Sequence, residues 1–100
     1  MSTNALKFLR ENFGNLTFGE MLYSLRSTDE VTQVQLAEEL KVSKGLICDI
    51  EKGRRLPTIE QAKEMAEFLG YPIEGFISIL IQDQLRKANL SMKVSIEKAS

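Results

Sequence analysis

Five cationic side chains occur in one short stretch of this chain, from Lys41 to Arg55. They are Lys41, Lys44, Lys52, Arg54 and Arg55. The stretch holds only two anions, Asp49 and Glu51, although the formal net charge of the whole chain is -1. Clustered lysine and arginine side chains bind phosphate groups, which dominate the affinity of proteins for DNA. The spacing therefore predicts an oriented nucleic-acid surface rather than a uniformly basic protein.

Two short helical patterns stand back to back in and before this basic stretch. Leu36, Ala37 and Leu40 share one face of the first pattern, and Ile47 and Ile50 share one face of the second. This spacing is typical of helices that bury one side. We predict two short helices joined by a tight turn.

Both predicted helices have residues at their ends that favour helix boundaries. Thr32 and Ser43 stand where their hydroxyl groups can accept hydrogen bonds from free backbone N–H groups, and Thr32 forms a capping box with Gln35. Gly53 is placed to end the second helix, because glycine adopts the left-handed conformation at little cost. Pro57 prevents the helix from continuing.

This arrangement resembles the helix-turn-helix of the Xre/Cro–CI family of phage and bacterial repressors. The residues that carry the resemblance are Gln33, Leu36, Ala37, Val42, Ser43, Ile47, Ile50, Glu51, Gly53 and Pro57. The resemblance covers residues 18–72 with the flanking helices and implies an all-α fold, a five-helix bundle like that of lambda repressor. It also implies an ion pair between Arg26, on the first helix of that bundle, and Glu51.

The second helix of the motif is expected, by this resemblance, to enter the major groove of DNA. The residues expected to contact DNA are Gln33, Ser43, Lys44, Gly45, Leu46, Asp49, Lys52, Arg54 and Arg55. Of these, residues 43, 44, 45 and 49 occupy base-reading positions, and Leu46 with Gly45 allows a close approach to the bases. Gln33, Lys52 and the two arginines are expected at backbone phosphates.

Three residues depart from the usual pattern of the family. Lys41 stands in the turn where relatives usually carry glycine, so a left-handed backbone there would cost about 1 kcal/mol. Gly45 brings no hydrogen-bond donor of its own to the reading helix. Asp49 can accept from a cytosine amino group, or it can form a local salt bridge, most simply with Lys52. The sequence leaves both interpretations of Asp49 open.

Apolar periodicity predicts further helices on both sides of the motif. Residues 1–15 are expected to form a short helical extension. The apolar positions of the flanking helices are Phe18, Met21, Leu22 and Leu25 before the motif, and Ile59, Ala62, Met65, Ala66 and Leu69, which are expected to face inward, after it. Thr58 and Gln61 form a second capping box, Gly70 ends that helix, and Pro72 suits the first turn of the last one.

The last predicted helix is too apolar for an element that faces solvent. Its apolar stripe comprises Ile73, Phe76, Ile77, Leu80, Ile81 and Leu85, and Ile79 adds apolar surface off that stripe. Part of the stripe is expected to seal the core, and the rest to form a homodimer contact, because monomers rarely expose such a patch. The predicted interface residues are Ile73, Phe76, Ile77, Leu80 and Ile81, with Met92, Val94 and Ile96 of the tail.

The C-terminal segment, residues 89–100, contains a different pattern. Residues 91–97 alternate polar and apolar side chains, which indicates a β-strand. A lone strand has unpaired backbone groups, so we expect pairing with the same strand of a second subunit in a symmetric ribbon. Pairing with the sheet edge of a partner protein and a disordered tail are the other two interpretations.

The composition excludes most catalytic and metal chemistry. The chain has no histidine and one cysteine, Cys48, which removes nearly all zinc chemistry, histidine-based triads and intramolecular disulfides. We expect no enzyme activity, no metal and no cofactor. No long apolar span and no signal peptide are present, so a cytoplasmic protein without a membrane partner is expected. One helix-turn-helix domain is expected over residues 16–88.

Three functions fit these observations. The leading one is a sequence-specific transcriptional regulator, a homodimeric repressor, often of its own promoter, that binds an inverted-repeat operator in double-stranded DNA. A HigA-like antitoxin would also neutralise a partner toxin protein, and residues 2–15 and 91–100, which lie outside the motif, are available for that contact. A degenerate motif used only for protein contacts would show no salt-sensitive DNA binding.

Overall fold

Five α-helices and no strand make up the described part of the chain in the computed structural model, which describes Glu11, residues 16–97 and Ala99. The helices are α1 (Phe18–Thr28), α2 (Gln33–Leu40), α3 (Lys44–Glu51), α4 (Ile59–Leu69) and α5 (Ile73–Lys87). This confirms the predicted all-α helix-turn-helix bundle. The predicted leading helix in residues 1–15 lies outside the described residues, except for Glu11. Among the described residues, no helix has the length and apolar character needed to cross a membrane.

Side-chain caps begin the first four helices. The hydroxyl groups of Thr17, Thr32 and Thr58 each accept from the backbone N–H three residues later, and in each case the side chain of that later residue accepts from the cap in return. Ser43 caps α3 in the simpler way, without the reciprocal bond. The capping boxes at Thr32 and Thr58 and the cap at Ser43 are confirmed. The box of Thr17 with Glu20 was not predicted.

A residue with left-handed backbone follows each helix. These residues are Glu30, Lys41, Gly53, Gly70 and Asn89. At Lys41 the backbone angles are φ 57° and ψ 43°, so a side chain does occupy the left-handed position that the comparison with the family pointed to. The left-handed conformation is unfavourable for any residue with a Cβ atom, because that atom crowds the backbone. The turn between α2 and α3 therefore stores a small amount of conformational strain.

One hydrophobic core joins the five helices. Its buried residues are Phe18, Met21, Leu22, Leu25, Leu36, Ala37, Leu40, Ile47, Ile50, Ala62, Met65, Ala66, Phe76, Ile79 and Leu80. The rings of Phe18 and Phe76 pack edge to face, with centroids 5.8 Å apart. The prediction that Ile59 faces inward is wrong, since 57% of it is exposed. The first turn of α4 lies at the surface, where Thr58 and Glu60 are exposed as well.

The buried face of α5 is rotated relative to the predicted stripe. Phe76 and Leu80 are completely buried and Ile79 is 8% exposed, whereas Ile73 and Ile77 are only half-buried, as is Ile81. The assignment of Phe76 and Leu80 to a dimer interface is therefore wrong, because both side chains fill the core of a single chain. Ile79, placed off the stripe by the sequence, belongs to that core.

A buried carboxylate joins α5 to the beginning of α1. Asp83 is 3% exposed, and its Oδ2 atom accepts from the backbone N–H of Phe18 at 3.1 Å. Its Oδ1 atom accepts from Arg86 at 3.1 Å. The negative charge lies at the positive end of the α1 dipole and satisfies an N–H group that has no partner within the helix. This role of Asp83 was not predicted from the sequence.

The C-terminal tail lies against α5 without forming a strand. Residues 91–97 have no regular secondary structure, so the strand predicted there does not form, and the described residues of the single chain offer no sheet edge for it to pair with. The side-chain amide of Gln82 donates to the carbonyl oxygen of Met92 at 2.8 Å and accepts from the backbone N–H of Val94 at 3.3 Å. The amide of Gln82 thus satisfies two backbone groups of the tail that a neighbouring strand would otherwise bind. A ribbon between two chains stays a prediction.

Candidate nucleic-acid interface

Helix α3 buries one side and presents the other to solvent. Ile47 and Ile50 point into the core. Ser43, Lys44 and Gly45, at the beginning of the helix, are exposed. The positions that sequence analysis assigned to base reading at this end of α3 are therefore accessible, while Leu46 and Asp49 are half-buried.

The backbone of α1 approaches the C-terminal end of α3 too closely for any side chain at Gly19. A Cβ atom built on Gly19 would lie 2.6 Å from the carbonyl oxygen of Glu51 and even closer to that of Ile50. Both are backbone atoms, which cannot move aside as a flexible side chain can. Glycine at this position therefore allows α1 to support α3 from behind. The role of Gly19 was not predicted, because the absence of a side chain is the one local signal of a close approach.

Arg26 and Glu51, the predicted ion pair, are brought together in a two-pronged arrangement. Nε of Arg26 lies 2.6 Å from one oxygen of Glu51, and Nη2 lies 3.0 Å from the other. The two side chains are only 12% and 5% exposed. The hydrogen bonds to Glu51 raise the pKa of Arg26 further above its already high value. Arg26 also donates to the carbonyl oxygen of Val31 at 2.8 Å, which ties the loop after α1 to the same cluster.

Gln33 joins this ion pair, a contact that sequence analysis missed. Its Nε2 atom donates to Oε1 of Glu51 at 2.9 Å. Three helices, α1, α2 and α3, therefore meet at one carboxylate. The predicted phosphate contact of Gln33 has to use the second N–H of the amide, because the first is engaged with Glu51.

The turn after α3 has the hydrogen bonds of a Schellman motif. The backbone N–H groups of Gly53 and Arg54 donate to the carbonyl oxygens of Ile50 and Asp49 at 3.1 and 2.9 Å, and Gly53 takes the left-handed conformation with φ 76°. Gly53 therefore ends the helix as predicted, one position beyond its C-cap.

Asp49 forms a salt bridge, but not with the predicted partner. Its carboxylate lies 3.4 Å from Nη1 of Arg54, with 41% and 66% of the two side chains exposed, whereas Lys52 was the partner expected from the sequence. An exposed pair of this kind contributes about 0–1 kcal/mol. The bond therefore breaks easily when a phosphate or a base offers Arg54 or Asp49 a better partner.

All five cations of the basic stretch are exposed. We call this set the basic surface, and it consists of Lys41, Lys44, Lys52, Arg54 and Arg55. Of the two anions in the same stretch, Glu51 has a side chain that is only 5% exposed and is neutralised by Arg26. The outer charge of α3 and its following turn is therefore more positive than the sequence count indicates. No group of side chains in the described part of the chain could hold a metal ion.

Two short helices joined by a tight turn, the second with an exposed face among exposed cations, define a helix-turn-helix, a motif whose second helix enters the major groove in DNA-binding proteins. Residues 19–78 match the helix-turn-helix domain family, and the chain belongs to that family, with a helix-turn-helix of the Xre/CI type.

Two regulators resemble the chain in sequence. An immunity repressor protein of Bacillus phage phi105 is 28% identical over 85 residues, which make up 83% of this chain and 59% of the repressor. The HTH-type transcriptional activator BcrR of Enterococcus faecalis is 36% identical over 63 residues, which make up 63% of this chain and 31% of the activator. The chain thus spans less than two thirds of the length of either relative. No solved structure matches it.

Proposed function

We propose that the chain is a homodimeric repressor that places the beginning of α3 in the major groove of an operator. The observation that carries this proposal is the exposure of Ser43, Lys44 and Gly45 at one end of a helix whose other end is fixed by Arg26 and Gly19. A reading helix has to present its base contacts in one orientation, and this cluster at its C-terminal end supplies that rigidity. Lys44 donates to the O6 and N7 atoms of guanine in this arrangement.

The phosphate contacts are proposed to come from both sides of α3. Lys52, Arg54 and Arg55 bind the backbone beyond the end of the helix, and Gln33 binds it at the beginning of α2, where the helix dipole favours an anion. Asp49 accepts from a cytosine amino group once Arg54 has left it for a phosphate. This exchange is inexpensive because the salt bridge between them is exposed.

Dimerisation is proposed to use α5 and the tail. Ile73, Ile77 and Ile81 follow one another at intervals of four residues and are half-buried in the single chain, so they form one apolar row along α5. Because Gln82 occupies the backbone groups of Met92 and Val94 that face α5, an extended tail directs the intervening backbone groups outward, where a second copy can pair with them. Val94 and Ile96 are half-buried, and 56% of Met92 is exposed.

A two-fold dimer of this kind requires an inverted repeat with half-sites about 34–36 Å apart.

The test is a gel-shift titration with the DNA upstream of the coding sequence of this protein, comparing the wild type with Lys44→Ala and Arg55→Ala. Lys44→Ala should abolish the preference for that DNA over a scrambled duplex, whereas Arg55→Ala should weaken both alike. Lys63→Ala, which removes an exposed charge from α4, is the matched control. Equal binding to both duplexes by the wild type would contradict sequence-specific repression.

Neutralisation of a toxin is the second candidate function, and the exposed apolar side chains of the tail favour it. Leu90 and Met92 are 44% and 56% exposed, which suits either a second copy or a different protein. Sedimentation equilibrium separates the two cases. If the chain is a dimer that dissociates when residues 90–97 are removed, the tail serves self-association. If the chain is a monomer that still binds DNA after their removal, the tail is available to bind a different protein.

A further inference from the structure

We propose that Lys87, in the last turn of α5, is an additional contact to the DNA phosphate backbone. The inference rests on the proposed function, since it adds a residue from outside the helix-turn-helix to the same DNA-binding surface. The side chain of Lys87 is exposed. Its ammonium nitrogen lies 3.0 Å from the carbonyl oxygen of Gly53, 34 residues earlier in the chain.

The turn to which Lys87 binds fixes the position of its charge. Gly53 stands between Lys52 and Arg54, two members of the basic surface, and two backbone hydrogen bonds of 3.1 and 2.9 Å close the turn onto α3. A closed turn gives the ammonium group one defined place. The charge of Lys87 is therefore held beside cations that we propose to bind phosphates, although the residue is distant from them in sequence.

The ammonium group of Lys87 also lies near the negative end of the α3 dipole. The last carbonyl groups of a helix carry a partial negative charge, which repels a phosphate. Lys87 donates to the carbonyl of Gly53 just beyond this end and so offsets part of that repulsion. An ammonium group has three N–H donors, and two remain after the bond to Gly53. Lys87 can therefore hold the turn and bind a phosphate oxygen at the same time.

The test is the salt dependence of DNA binding, measured by fluorescence anisotropy with a labelled duplex of mixed sequence between about 50 and 200 mM salt. A mixed-sequence duplex suffices because phosphate contacts do not depend on base sequence. Each phosphate contact contributes about 0.9 to the slope of log K against log salt concentration. Lys87→Gln should lower the slope by about this amount, and so weaken binding about fifteenfold at 50 mM salt but only about fourfold at 200 mM.

Two further variants keep the inference falsifiable. Lys87→Arg retains the charge and should restore most of the slope, and Lys63→Gln removes an exposed charge from α4 and should leave the slope as in the wild type. A steep wild-type slope that Lys87→Gln shares, with only the melting temperature lowered, would show a structural tether and overturn the inference while the proposed function stands. A wild type without salt-sensitive binding would overturn both.

Discussion

Gly19 and Gly45 offer a matched pair of substitutions with opposite expected effects. Each is the second residue of a helix that begins after a hydroxyl cap, Thr17 for one and Ser43 for the other. Replacing either glycine by alanine should gain up to about 1 kcal/mol of helix propensity. Around Gly45 the nearest atom to an added Cβ would be the hydroxyl oxygen of Ser43 at 3.8 Å, an ordinary contact. Gly45→Ala should therefore stabilise the fold by about 0.5–1 kcal/mol.

Gly19→Ala should destabilise the fold, because the added Cβ would lie 2.6 Å from the carbonyl oxygen of Glu51. Carbon and carbonyl oxygen atoms in close contact stand about 3.3–3.6 Å apart, so relief of this contact alone moves α1 by roughly 0.7–1 Å, and the closer approach to the carbonyl oxygen of Ile50 requires more. A gap of that size forfeits a quarter to a half of the dispersion energy of the contacts it opens. Phe18, Met21 and Leu22 are completely buried on α1. An overpacking cost of about 1–3 kcal/mol outweighs the gain in propensity.

We expect Gly19→Ala to lower the free energy of unfolding by about 2 kcal/mol, and the melting temperature by roughly 8–16 °C for a domain of this size. Thermal unfolding followed by circular dichroism, confirmed by urea titration, measures both variants against the wild type. A melting temperature for Gly19→Ala at or above that of the wild type would refute the close approach of α1 to α3. A loss of stability in Gly45→Ala would instead show that propensity arguments fail at this helix position.

Four further substitutions probe other parts of the fold. Lys41→Gly should raise the free energy of unfolding by about 1 kcal/mol, because it relieves the left-handed strain, and a higher urea midpoint would show this. Asp83→Asn should lower it by about 1–3 kcal/mol through the loss of a buried charged acceptor at the start of α1; an unchanged urea midpoint would contradict that role. Arg26→Ala should cost about 3–5 kcal/mol, since it leaves Glu51 buried without its cation, and a melting shift of a degree or less would disprove this burial. The hydrogen bond from the backbone N–H of Thr17 holds the pKa of the Glu20 carboxyl group below its usual value. The ionised carboxylate therefore stabilises the folded chain at neutral pH, and this stabilisation is lost as the pH falls through the lowered pKa. Glu20→Gln should therefore flatten the decline of melting temperature below about pH 5, and an identical decline would refute the pairing.

The helix-turn-helix itself could be predicted because its signals are local. Caps such as Thr32 and Thr58, the left-handed residue at Lys41 and the end of α3 at Gly53 each depend on neighbours within a few positions. The family resemblance added the pair of Arg26 with a residue 25 positions away. No local pattern contains that information.

Contacts between distant elements could not be predicted in the same way. Asp83 reaches the backbone of Phe18 across 65 residues, and Gly19 matters only because α1 crosses the end of α3 at that point. The buried face of α5 was misjudged because apolar side chains of all types together cover most of the circumference of the helix, so that periodicity alone did not decide between Ile77 and Ile79. Only packing against the other helices makes that choice.

Stability and base preference are separable in this architecture. The residues that fix α3 are Gly19, Arg26, Gln33 and Glu51, and they meet at the C-terminal end of the helix, on its inner side. Lys44 and Gly45 stand at the other end, exposed and outside the core. A substitution at either position changes what the helix presents to DNA while leaving its supports intact. The operator preference that we propose for this helix can therefore shift through such positions without loss of the fold, whereas a change at the inner cluster alters the orientation of all the proposed base contacts at once.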